Sequence, residues 1–148
     1  MEAALVACLE ASLSPSTEQV KQAEIQLKQA ARAPGYVSVL VKVMSAQTNH
    51  LPHIKQAASV QFKNYVKHGW DPEHKENDTL GVAIPDPDKA TIRQHLVGLM
   101  CSAHPNVMLQ LAEALRIIST YDFPGKKKRK EERKNIFKPI VSDIYFDL

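Results

Sequence analysis

The stretch from Leu51 to Trp70 constrains the fold more than any other, because its apolar residues recur in steps of three and four. That spacing places them along one face of an α-helix. Pro52 stands at the predicted first turn, where no backbone N–H is needed, and Gly69 suits the left-handed residue that often ends a helix. We therefore predict a helix over Leu51–Trp70. Its predicted inward residues are Leu51, Ile54, Ala58, Phe62 and Tyr65.

Five further segments have helical periodicity, and breaks containing proline or glycine separate most of them. The predicted helices span residues 2–13, 15–32, 36–47, 51–70, 87–103 and 107–121. Two helices per unit of about 40 to 50 residues is typical of HEAT-type repeats. With Leu51–Trp70 as the first helix of a second repeat, the pattern favours a solenoid over its alternative, an ordinary helical bundle. The inward residues predicted for the last two helices are Ile92, Leu96, Leu99, Met100, Val107, Leu111, Ala114, Leu115 and Ile118.

The length of 148 residues suits one domain. The sequence contains no run of about 18 apolar residues, so it predicts no membrane span. The first residues lack a basic leader and contain Glu2 and Glu10, so we expect no secretory signal. The two cysteines, Cys8 and Cys101, stand far apart and indicate a reducing compartment. Cys101 is expected in the core.

Catalytic and metal-binding patterns are not found in the sequence. It has no HExxH, GxSxG or phosphate-binding glycine loop, and its six histidines form no ligand set at compatible spacing. We therefore predict a protein that is not an enzyme, needs no cofactor or metal, and acts by binding protein partners along helical surfaces.

The basic character of the chain belongs to its end. Residues 1–125 contain 11 Lys/Arg against 12 Asp/Glu, whereas residues 126–148 contain 8 against 4. The run Lys126, Lys127, Lys128, Arg129 and Lys130 has three interpretations, in order of preference: a solvated charge run, a nuclear localisation signal, and an arm for nucleic acid. The last is least favoured because no aromatic residues for base stacking alternate with these cations.

A resemblance to a known family rests on an ordered set of short motifs. Ile54 to Asn64, followed by Trp70, closely resembles the signature helix of the importin-β (karyopherin-β) N-terminal domain, and Ala23 to Leu27 matches the preceding helix. Ile84-Pro85, Ile92-Arg93 and Tyr121 to Pro124 are similar to the importin-seven and importin-eight branch. The resemblance implies an all-α fold, an α–α superhelix built as a right-handed HEAT/ARM-like solenoid of about two and a half repeats over residues 1–124.

The family consists of nuclear transport receptors, so the resemblance implies that this region binds the small GTPase Ran in its GTP form. Candidate contacts on the polar faces of the third and fifth helices, taken as the inner row, are Lys42, Ser45, Lys89 and Arg93. The signature residues, expected to hold neighbouring helices together, are Gln56, Ala58, Lys63, Asn64 and Trp70. The resemblance also implies residence in nucleus, cytoplasm and nuclear envelope, and protein cargo for the full-length family. Nucleoporin sites are expected in later repeats. The alternative is a helical-repeat interaction module without GTPase binding.

Residues 125–148 depart from the family pattern. Relatives continue past the Tyr121–Pro124 motif into another helix, so we expect the sixth helix to lack its mate here. The apolar residues after Asn135 could cover the exposed face of that helix, or the segment could come from an aberrant transcript or gene model. We favour a truncated product.

Overall fold

A computed structural model describes residues 1–71 and 83–123 of the chain, and within them it contains helices and no strand. The helices are α1 (Glu2–Ser12), α2 (Thr17–Ala30), α3 (Tyr36–Met44), α4 (Pro52–Gly69), α5 (Asp86–Ser102) and α6 (Pro105–Asp122). The predicted all-α class is confirmed. The predicted basic run 126–130, the tail 125–148 and most of the link after Trp70 lie outside the described residues.

The ends of two helices differ from the sequence-based expectation. The helix predicted to start at residue 15 starts at Thr17, with Ser16 as its N-cap, and the Ser14 hydroxyl accepts a hydrogen bond from the Ser16 N–H. Gly69 does not adopt the left-handed conformation expected for it. Among the described residues, only Gly35 has a positive φ, 83°. The Gly69 carbonyl accepts the N–H of Ile84 at 2.9 Å, so the chain returns to the end of α4 before α5 begins.

Consecutive helices pack as three hairpins within the described residues: α1 with α2, α3 with α4, and α5 with α6. The hairpins stack, because α1 contacts α3 and α4, α3 lies against α5, and α4 lies against α6. This arrangement is consistent with a fragment of a HEAT-like helical repeat array.

The assignment of α4 as the first helix of a repeat is wrong, because α4 is the second helix of the middle hairpin. Within the described residues α6 pairs with α5, whereas the expectation that the following helix is missing concerns residues 124–148, which lie outside them. Link length explains the observed pairing. Only residues 103–104 separate α5 from α6, whereas residues 70–85 separate α4 from α5, and short links make antiparallel neighbours.

The core runs through all three hairpins, with Phe62 of α4 completely buried near its middle. Every inward residue predicted for α5 and α6 is buried, because helical periodicity depends only on local geometry. Leu51 is 55% exposed instead of inward, since it precedes the first turn of α4. Cys101, predicted in the core, is exposed. None of the described helices is both long and apolar enough to cross a membrane.

Candidate functional site

The ends of α4 and α6 and the first half of α5 meet at a buried polar cluster. The Trp70 indole Nε1 donates to Asp122 Oδ1 at 3.2 Å, and Arg93 Nη2 donates to Asp122 Oδ2 at 3.2 Å. Trp70 is 3% exposed and Asp122 is 8% exposed, so the carboxylate receives both bonds away from bulk water. A buried carboxylate is costly unless it is paired in this way.

Two cations face the Trp70 ring. The Arg93 Cζ atom lies 5.0 Å and the Lys89 Nζ atom 5.3 Å from the ring centroid, within the range of cation–π attraction. Both come from the polar face of α5, one helical turn apart. The structure therefore brings these two sequence-predicted contact residues together, and it gives Arg93 internal partners. We call the set Trp70, Lys89, Arg93 and Asp122 the Trp70 cluster.

The other two predicted contact residues lie at the end of α3. The Lys42 ammonium pairs with Glu2 Oε2 at 2.7 Å, and His50 Nε2 lies 3.1 Å from Glu2 Oε1. The hydrogen bonds from Lys42 and His50 lower the pKa of the Glu2 carboxyl. The side chain of Ser45 accepts the Gln47 N–H at 3.2 Å. Lys42 keeps 64% of its side chain exposed, so its charge remains open to a partner.

These two groups of candidates do not form one patch. Lys42 and Ser45 lie beside the start of α4, where Lys55 bonds the Ser45 carbonyl, whereas Lys89 and Arg93 lie beside its end at Trp70. The 18 residues of α4 make a helix about 27 Å long. A partner that contacts both groups must therefore span the full length of this helix.

The family-signature residues of α4 differ in their burial. Ala58 and Trp70 are buried, Lys63 and Asn64 are half-buried, and the Gln56 side chain is exposed. The structure thus gives Ala58 and Trp70 a packing position. The expectation that Gln56, Lys63 and Asn64 hold neighbouring helices together stays a prediction.

A groove between α4 and α6 is a further candidate surface that the sequence did not single out. Its volume is about 210 Å³, and Lys67, Glu113 and Arg116 are among its lining residues. Arg116 bonds Glu113 and lowers the pKa of that carboxyl, with smaller contributions from Lys63 and Lys67 across the interface. The i, i+4 spacing of Lys63 and Lys67 predicts that they share one face of α4, but their nearness to Glu113 of α6 depends on helix packing.

The described residues contain no group of three His, Cys, Asp or Glu side chains arranged to hold a metal ion. The charged side chains of the two candidate groups are paired between helices, Arg93 with Asp122 and Lys42 with Glu2, and most of Lys42 stays exposed. Surfaces of this kind suit recognition of another macromolecule.

Comparisons with known proteins agree with this interpretation. The family model described as the importin-beta N-terminal domain matches residues 23–102. The chain is similar to Exportin-2 of Homo sapiens, with 30% identity over 118 residues, covering 80% of this chain and 12% of that protein. It is similar to the importin-alpha re-exporter of Schizosaccharomyces pombe (30% over 116 residues, 78% and 11%) and to Nonsense-mediated mRNA decay protein 5 of Saccharomyces cerevisiae (28% over 129 residues, 83% and 12%). The chain thus spans about an eighth of the length of these relatives.

Proposed function

Because the chain belongs to the importin-β N-terminal domain family of nuclear transport receptors, we propose that it binds the small GTPase Ran in its GTP form. Ran binding is typical of this domain in the family, and the family consists of receptors rather than enzymes. We assign the chain to nucleocytoplasmic protein transport, with residence in both nucleus and cytoplasm. Cargo binding belongs, in this proposal, to a full-length receptor. The narrower assignment to the importin-seven and importin-eight branch stays a prediction.

The observation that carries the proposal is the family match over residues 23–102, which includes the whole of α3, α4 and α5. At the two ends of α4, we propose direct contacts with Ran from Lys42 and Ser45 on one side and from Lys89 on the other. Arg93 contributes to the same binding. Lys42 is the strongest of these candidates, because most of its side chain is exposed and its one observed partner is the surface residue Glu2. Surface ion pairs are weak, so an acidic partner can compete with Glu2.

The internal pairing of Arg93 supports a second candidate function. If its bond to Asp122 serves packing alone, the fragment is a helical-repeat module that binds another protein without contacting a GTPase. The groove lined by Lys67 and Arg116, with the charge of Lys63 acting on its Glu113, would then offer a cationic surface for an acidic segment of that partner.

The direct test is a pull-down of the full chain against Ran loaded with GTP or with GDP. We expect retention of the GTP form only. Equal retention of both forms would contradict selective binding of Ran-GTP by this chain. Retention of neither form would contradict Ran binding altogether. Either result would favour the second candidate.

Charge reversals then locate the contact surface. Lys42→Glu and Lys89→Glu should each weaken retention, whereas Lys21→Glu on the exposed face of α2 is the matched control and should not. Lys63→Glu and Lys67→Glu test the α4–α6 groove separately. Retention that survives both Lys42→Glu and Lys89→Glu, but not the groove variants, would move the contact surface to the groove.

A further inference from the structure

We infer that Arg93 is a positioning residue, which acts on partner binding by fixing the third hairpin against the second through Trp70 and Asp122. The identity of the partner rests on the proposed function. The structural half of the inference, that Arg93 fixes the third hairpin against the second, does not depend on it. It assigns the effect of Arg93 to the angle between hairpins rather than to a bond with the partner.

The first support is where the cluster lies. Trp70 directly follows α4 of the second hairpin, whereas Arg93 and Asp122 belong to α5 and α6 of the third. One carboxylate therefore receives a bond from each hairpin: the Trp70 indole from the second and the Arg93 guanidinium from the third. Arg93 also lies over the Trp70 ring, which adds a second connection between the same two hairpins.

The second support is the contrast with the remaining contacts between these hairpins. Apolar packing of α4 on α6 and of α3 on α5 supplies attraction, but apolar contacts are non-directional and tolerate small rotations. Hydrogen bonds to a buried carboxylate lose strength steeply when their angles change. The Trp70 cluster is thus suited to select one angle among those that the apolar packing allows.

The third support is burial. The Asp122 side chain is 11% exposed and the Arg93 side chain is 29% exposed. Asp122 accordingly offers a partner almost no surface, and its substitution can alter binding only through the arrangement of the chain. A substitution of Asp122 therefore distinguishes a positioning role of Arg93 from a direct contact between Arg93 and the partner.

The structural half is tested by a distance measurement between the two hairpins. Spin labels are placed at native Cys101 on α5 and at Ser38→Cys on α3, two exposed positions, in a Cys8→Ser background. We expect Arg93→Met and Asp122→Asn each to shift or broaden the distance distribution. Lys89→Met removes the other cation over the same ring but neither bond to Asp122, so it should change the distribution less than Arg93→Met.

The binding half is tested with the same variants in the Ran-GTP pull-down, made quantitative by titration. For a positioning role we expect Arg93→Met and Asp122→Asn to lose affinity alike, by about threefold to thirtyfold, and the double variant to lose no more than either. Arg93→Lys, which keeps the charge but not the planar guanidinium that lies over Trp70, should recover little. Loss with Arg93→Met alone, while Asp122→Asn binds normally, would show a direct contact and overturn the inference.

The two proposals fail in distinguishable ways. If the unmodified chain does not bind Ran-GTP, the proposed function fails and the label distances alone decide the inference. If the distances are the same in all variants, the inference fails whatever the pull-down gives. Helical content measured by circular dichroism identifies any variant that is unfolded. If Asp122→Asn is unfolded, Asp122→Glu replaces it. The longer side chain of Glu shifts the carboxylate, so this variant should also broaden the distance distribution.

Discussion

The ammonium of Lys55, in the first turns of α4, donates to the backbone carbonyl of Ser45 at 2.8 Å, where α3 has just ended. It also donates to the carbonyl of Thr48 at 3.0 Å. Carbonyls at the end of a helix lack partners within that helix. One side chain of α4 thus joins the Thr48 N–H and hydroxyl in bonding the carbonyl that ends α3, and connects the link to the start of α4.

We predict that Lys55→Met lowers the free energy of unfolding by about 1–2 kcal/mol, because two charge-assisted bonds to carbonyls are lost while the apolar stem is kept. Urea unfolding followed by circular dichroism measures this. Lys21→Met, at an exposed position of α2, is the control and should change the free energy by less than about 0.5 kcal/mol. Equal effects of the two substitutions would contradict the capping role.

A second prediction concerns the core. Phe62 is completely buried, so Phe62→Ala should cost about 3–5 kcal/mol through lost burial and the cavity left behind. Leu109 is 63% exposed on α6, and Leu109→Ala should change stability by less than about 0.5 kcal/mol. The urea midpoint measures both. A large effect of Leu109→Ala would mean that this face is covered by another part of the protein.

The third prediction concerns alkaline stability. Tyr36 and Tyr65 stack edge to face with centroids 5.2 Å apart, and burial raises the pKa of both phenols, that of Tyr65 to about 12. Because the folded pKa lies above the unfolded value, the resulting stability is complete below about pH 10 and is lost as the pH rises toward 12. Thermal unfolding measured from pH 8 to 11 should show a midpoint that changes little up to about pH 9.5 and falls above it.

The double variant Tyr36→Phe/Tyr65→Phe isolates the contribution of these phenols. It removes both titrations and keeps the rings, so its midpoint should fall less steeply with pH than that of the unmodified chain. A slope identical to that of the unmodified chain would assign the alkaline loss to other groups.

The fourth prediction uses Glu2 as a competitor for Lys42. Glu2→Gln removes the negative charge that pairs with Lys42, and we expect stronger retention of Ran-GTP. Glu10→Gln, on the exposed face of the same helix, is the control for the change in net charge. Unchanged retention with Glu2→Gln, together with normal binding by Lys42→Ala, would remove Lys42 from the contact set.

The helices and most of their inward residues followed from the sequence alone. Apolar steps of three and four, together with Pro52 and the breaks that contain proline or glycine, located α3 and α4 within three residues of their observed ends. Burial of Ile92 and Leu111 followed in the same manner. These features depend on residues a few positions apart, so local backbone geometry is enough to determine them.

The tertiary structure decided what lies far apart along the chain. Trp70 and Asp122 are separated by 52 residues, and no spacing rule relates an indole to a carboxylate at that distance. Likewise, helical pattern alone did not reveal that Lys42 lies at one end of α4 and Arg93 at the other. Helix periodicity identifies which face of each helix is buried, whereas the choice of packing partner and the meeting of helix ends depend on side-chain fit between hairpins.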